Sequence, residues 1–179
     1  MTNMAKTEDK LILLDADVLI HFFKGEELLL LPKLYPNRLL IIQEVINELK
    51  THDYQLIITT LINTKLVRIY EIPKSLSANI LYEIAKIQKE RVIGTERIYM
   101  AIAKFDNKII ASSNIRDIEP YCTLNGIEYI TTMDILVEAY QRKILNETDC
   151  DDFIDKVKNK GKIKSKLPCN TIKEYLEKK

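Results

Sequence analysis

The chain has 179 residues, 46% apolar and 30% charged, with only 4 Gly and 5 Pro, which excludes a disordered or fibrous chain and fits one ordinary domain. At that length a single core needs no disulfide or structural metal. Twenty-seven Lys and Arg against 26 Asp and Glu leave a net charge of +1, which excludes the broad basic field of a non-enzymatic nucleic-acid binder; any such contact must rest on a local patch.

In chain order, Lys10 to Leu14 is a short apolar run suited to a strand covered on both faces, ended by Asp15-Ala16-Asp17. Helical patterns follow over Val18 to Phe23 and Glu26 to Leu34, with breaks expected at Gly25 and Pro32. Leu39 to Ile42 is a second buried-strand candidate, and Glu44 to Leu49 reads as one helix face. Tyr54 to Thr64 is helical, Leu66 to Ile72 a short strand, and Leu76 to Arg91 a helix with an apolar stripe at Leu76, Ile80, Leu81, Ile84 and Ile87. Gly94-Thr95 punctuates before a small-residue helix from Glu96 to Phe105. Lys108 to Ser112 reads as a strand with a polar turn at Ser113-Asn114, and Ile127 to Ile130 as another. Thr131 and Thr132 offer N-caps for a helix through Tyr140, with Asp134 placed to close a capping box.

Strands alternating with helices at this spacing predict parallel βαβ units, an α/β domain over residues 1–145. Residues 146–179 form a charged helical extension, with Lys156, Lys158, Lys160, Lys162, Lys164 and Lys166 arriving at almost every second position. That stretch is either a solvated helix or linker, or an arm that tracks phosphates. Cys122, Cys150 and Cys169 are far apart and odd in number, so three unpaired thiols in a reducing cytoplasm are expected. The first ten residues hold no apolar stretch of signal-peptide length, and no window approaches a membrane span.

Active sites of open parallel sheets form outside the carboxyl ends of the strands, so the residues just after each apolar run carry the chemistry. These are Asp15 and Asp17 after the first run, and Glu44 and Glu48, one helical turn apart, after the second. Asn114, Arg116 and Asp117 follow the Lys108 strand, and Glu96 opens the helix leading into it. Converging carboxylates repel one another unless a cation lies between them, and hard oxygen donors favour Mg²⁺ or Mn²⁺. Such an ion suits hydrolysis of a phosphodiester or phosphomonoester.

Ile12 to Ile20, with Asp15 closing the strand, resembles the first motif of the PIN-domain family, nucleases that include the toxin half of many bacterial toxin–antitoxin pairs. Asn47-Glu48-Leu49 is similar to its second motif, Glu96 to Ala103 to its third and Ile110 to Asp117 to its fourth. The likeness spans about Leu11 to Leu145 and implies a three-layer α/β/α fold with a central, mostly parallel, Rossmann-like sheet. Ala16 stands where a hydroxyl residue is usual, Glu96 where Asp is commoner, and Asn114 where Asp is frequent.

The resemblance implies an endoribonuclease dependent on Mg²⁺ or Mn²⁺ that leaves 5′-phosphate and 3′-hydroxyl ends. Asp15 and Glu96 would be the primary metal ligands, and Glu48 would hold a second ion or orient the attacking water. Asp117 would complete the acidic ring, with Asn114 as a neutral ligand or orienter. Arg116 and Arg97 are candidate phosphate clamps, and Lys24, Lys33 and Arg38 candidate residues along the approach. The likeness also implies a possible antitoxin partner and a homodimer. Two other readings stand beside it: a PIN-like binding module with decayed catalysis, and a haloacid-dehalogenase-type phosphatase with Asp15 as nucleophile and Asp17 as acid, a scheme that Ser112 or Ser113 with Lys108 fits poorly and whose later acidic pair is missing.

Overall fold

The structure, a computed structural model, describes residues 10–89, 92, 94–160 and 167–179. The apolar runs become β1 (Ile12–Leu14), β2 (Leu39–Ile41) and β4 (Ile109–Ala111), all fully buried. Two two-residue strands, β3 (Arg68–Ile69) and β5 (Tyr129–Ile130), are more exposed. All pairings are parallel, in the order β3-β2-β1-β4-β5. The continuous apolar runs are thus the central strands, covered above and below, as such runs require.

Helices cover both faces, which gives the expected three-layer α/β/α architecture. On one face α1 (Ala16–Lys24) packs with α3 (Gln43–Glu48), α8 (Thr132–Gln141) and α9 (Glu147–Asn159), and α10 (Ile172–Lys178) lies against α8 and α9. On the other, α6 (Glu96–Asp106) packs on β4 and between α5 (Ser77–Lys89) and α7 (Ile115–Asn125). The remaining helices are α2 (Leu30–Leu34) and α4 (His52–Asn63). Among the described residues no helix is long and apolar enough to cross a membrane.

Two local expectations are corrected. The stretch from Glu26 to Leu29 is turn rather than helix, and Pro32 lies inside α2 instead of breaking it. Proline is tolerated there because the first helical turn has no intrahelical use for its N–H groups. Pro120 likewise sits inside α7. The helix predicted from Leu76 to Arg91 is present as α5 over Ser77–Lys89, and Glu90 and Arg91 lie outside the described residues. The capping box is present: the Thr131 hydroxyl accepts from the Asp134 amide and Asp134 accepts from the Thr131 amide.

The charged extension has an apolar face. Cys150, Phe153, Ile154 and Val157 of α9 are buried in the same core as the sheet, and Phe153 packs on Phe22 of α1 with ring centroids 5.0 Å apart. Gly25 is needed for this approach, since a Cβ there would come within 2.2 Å of the Phe153 ring. Lys156 and Lys160 pair with Glu26, and Lys158 donates to Asn170. Lys162, Lys164 and Lys166 lie outside the described residues. All three cysteines are buried and unpaired, as expected.

Candidate functional site

From β1 the chain moves through β2 to β3 on one side of the sheet, then returns to β4 and β5 on the other. The order therefore reverses between β1 and β4, and open α/β sheets bind ligands in the crevice outside the carboxyl ends at such a switch point. Asp15 leaves β1 at that crevice and Ser112, Ser113 and Asn114 leave β4 beside it.

Asp15 caps α1 and also faces the crevice. Its Oδ1 accepts from the Ala16 amide at 2.7 Å, while Oδ2 accepts from the Ser112 hydroxyl at 2.8 Å and the Tyr99 hydroxyl at 3.0 Å. Asp17, in the first turn of α1, lies alongside. Its Oδ2 accepts from the Ser113 amide at 2.8 Å and stands 3.5 Å from Ser112 Oγ. The other oxygen, Asp17 Oδ1, is buried and has no hydrogen-bond partner among the described residues. Burial, and then the Glu96 charge, hold the Asp15 carboxyl above the ordinary carboxylate range against the hydrogen bonds it accepts. Burial, and then the Asp15 charge, raise Asp17 likewise.

Of the other predicted acids, Glu96 is near enough for its charge to act on Asp15, and the Asn114 backbone N–H donates to Ser112 Oγ at 3.2 Å. Asn114 Nδ2 donates to Glu96 Oε1 at 3.0 Å and to Asp117 Oδ2 at 2.7 Å, so one amide ties both carboxylates together. The Thr95 hydroxyl, next to Glu96, donates to Glu48 Oε1 at 3.0 Å. Tyr99, one turn along α6 from Glu96, reaches Asp15, and burial raises its hydroxyl pKa above the usual value. Glu48 and Asp117 are exposed, while Glu96 and Asn114 are half-buried. Among the described residues, no three His, Cys, Asp or Glu side chains are grouped closely enough to hold a metal ion as they stand. No family model and no curated protein matches the chain.

Behind Asp17 runs a second polar chain. His21 Nδ1 lies 2.8 Å from Thr132 Oγ1, which accepts from the Ser113 hydroxyl at 2.8 Å, and the Ser113 amide reaches Asp17. Burial, with Lys24 nearby, lowers His21 to about 4, so the ring is neutral at physiological pH.

Arg116 lies exposed in the first turn of α7, and Arg97 follows Glu96 on α6 with a buried Nε that has no hydrogen-bond partner among the described residues. Lys24, Lys33 and Arg38 do not line the approach. Lys24 is buried in the last turn of α1, Lys33 lies on α2, and Arg38 precedes β2 and donates to the Lys10 carbonyl just before β1. That is the amino-end pole, opposite the crevice, because α1 runs back along the sheet from Asp15. Lys108, which the phosphatase reading requires, is at the same pole, paired with Asp106 before β4.

Sequence reasoning gave no site role in its main reading to Ser112, Tyr99, Thr95 or Asp17. Ser112 and Asp17 carried a signal, since both directly follow apolar runs. Tyr99 carried one only in its spacing, three residues after Glu96 on a helix.

Proposed function

We propose that the chain is a metal-dependent endoribonuclease that hydrolyses RNA phosphodiester bonds at the crevice between β1 and β4. The observation that carries this reading is the gathering of Asp15, Asp17, Glu96, Glu48 and Asp117 at a sheet switch point, linked through Ser112, Tyr99, Thr95 and Asn114. Two neighbouring carboxyls raised first by burial, Asp15 also by the Glu96 charge and Asp17 by that of Asp15, form a donor set that suits a hard cation. Mg²⁺ usually keeps its waters and takes one or two direct carboxylates, so a ready-made trio is not required. Asp15 and Glu96 would hold the ion, which supplies a Lewis acid that lowers the pKa of a water and offsets charge on a phosphoryl oxygen.

The remaining chemistry belongs to the chain. Ser112 and Tyr99 fix the rotamer of Asp15, Asn114 holds Glu96 and Asp117 apart at a set spacing, and Thr95 steers Glu48 toward the same mouth. Arg116 is available to a backbone phosphate at the rim.

The test is incubation of purified protein with total RNA in Mn²⁺ or Mg²⁺, with EDTA and Asp15→Asn as controls. Metal-dependent cleavage abolished in Asp15→Asn is the expected result. Absence of cleavage by folded protein would favour a catalytically silent module of the same fold, for which the amide already seated between Glu96 and Asp117 is the supporting observation.

A further inference from the structure

Glu48 is the last residue of α3, a helix of six residues. A helix that short does not hold itself together, because nucleation costs more than its few internal hydrogen bonds return. Its carboxyl end also leaves carbonyls that no residue of the helix itself can reach. Val45 and Leu49 anchor one side of α3 in the core, whereas the Glu48 side chain is exposed and accepts from the Thr95 hydroxyl.

Partners for that end come from α4. The side-chain amide of Gln55, half-buried near the start of α4, donates to the Ile46 carbonyl at 2.8 Å and also to the Leu49 carbonyl. An amide nitrogen carries two hydrogens, and both are used here. The two carbonyls bracket Glu48, so one side chain pins the backbone on either side of it. Leu49 is itself buried in the apolar seam between α1 and α4, beside Phe23, Tyr54 and Ile58. The Phe23 and Tyr54 rings meet edge to face there, with centroids 5.1 Å apart. The seam seats α4 on α1, and Gln55 carries that placement to the end of α3.

We propose that Gln55 is a positioning residue of the crevice: it clamps the end of α3 from α4 and so holds Glu48 opposite Thr95. The consequence for catalysis rests on the nuclease reading above; the clamp itself does not. The clamp works by donation to carbonyls, so a side chain of similar size without a donor removes it. A cationic donor of similar reach restores it, since positive charge is favoured beside the carboxyl end of a helix.

The experiment compares full-length wild type, Gln55→Leu and Gln55→Lys by thermal melt, by backbone hydrogen exchange, and by kcat and KM on an RNA that the wild type cuts. Gln55→Leu should melt no more than about 2–4 °C lower, the shift expected for one net hydrogen bond. Its Leu49 and Lys50 amides should exchange about tenfold faster while those of β1 stay as in wild type. Its kcat should fall about tenfold to a hundredfold with KM near wild type, the scale of a misplaced group. Gln55→Lys should restore both the exchange and kcat. Unchanged exchange at Leu49 and Lys50 in Gln55→Leu, or faster exchange there with wild-type kcat, would overturn the assignment and leave the nuclease reading intact. So would equally faster exchange in β1, or a lysine that restores neither property, because Gln55 would then act through general stability. No RNA cleavage by wild type would overturn the nuclease reading and the catalytic role together, while exchange at Leu49 and Lys50 still decides the clamp.

Discussion

At the scale of single residues, the site depends on small groups that hold the acids in place. Gly94 has φ +109°, and a Cβ there would meet Glu96 Oε2 at 2.4 Å. The carboxylate therefore folds back over a position only glycine occupies without strain. Gly94→Ala should displace Glu96 and lower metal-dependent RNA cleavage by up to about a hundredfold, the scale of a misplaced catalytic group. Steady-state cleavage beside a thermal melt would check this, because a mere folding defect lowers both together. Thr132 is fully buried, and its hydroxyl joins His21 to Ser113. Thr132→Val keeps the volume but strands two polar groups, so urea unfolding should show a loss of about 1–3 kcal/mol.

At the scale of elements, the packing of α9 on α1 decides whether the charged extension is an appendage. Phe153 is buried against Phe22 and over Gly25. Phe153→Ala should cost about 3–5 kcal/mol in chemical denaturation; a free tail would leave the midpoint unchanged. The amphipathic spacing of Cys150, Phe153, Ile154 and Val157 was present in the sequence, but the dense lysines around it masked the stripe. Asn146 and Asp149 form a second capping box that was equally readable. The strands show the reverse. Ile12 to Leu14, Leu39 to Ile41 and Ile109 to Ala111 stood out because both their faces are buried. The edges β3 and β5 shrank to two residues each, where only one neighbour fixes their length.

At the scale of the whole molecule, the buried titratable groups give stability opposing slopes with pH. Asp15 and Asp17 have folded pKa values raised to about 6 and about 7 for the pair, so their protonated forms are favoured in the fold. Their contribution is present below the unfolded carboxylate value of about 4 and is lost as pH rises through 6 and 7. His21 acts in the other direction. Its folded value is lowered to about 4, so its contribution is full above about 6.5 and is lost as pH falls toward 4. Metal-free protein should therefore gain stability as pH falls from 7.5 toward 5, because two carboxyls take up protons in the fold against one imidazole that does not. Removal of one carboxylate in Asp17→Asn should flatten the upper limb. Differential scanning calorimetry in EDTA across that range checks both signs, and Mn²⁺ should lift the melting temperature most near neutral pH, where the pair is ionised.

The sequence by itself determined the layer architecture, the central strands and the order of the acids, because hydrophobic periodicity and an abrupt polar stop are local properties of the chain. The approach of Asp15 and Ser112 depended on the tertiary structure, since the parallel pairing of β1 with β4 brings together residues 97 apart in sequence. The same pairing revealed that Lys24 and Arg38 lie at the far pole, because strand direction, not residue type, assigns a side chain to one end of the sheet. Asp17 was visible from the start as an acid after a strand. Only the folded environment showed one of its oxygens buried with no hydrogen-bond partner among the described residues, since that depends on which groups come near.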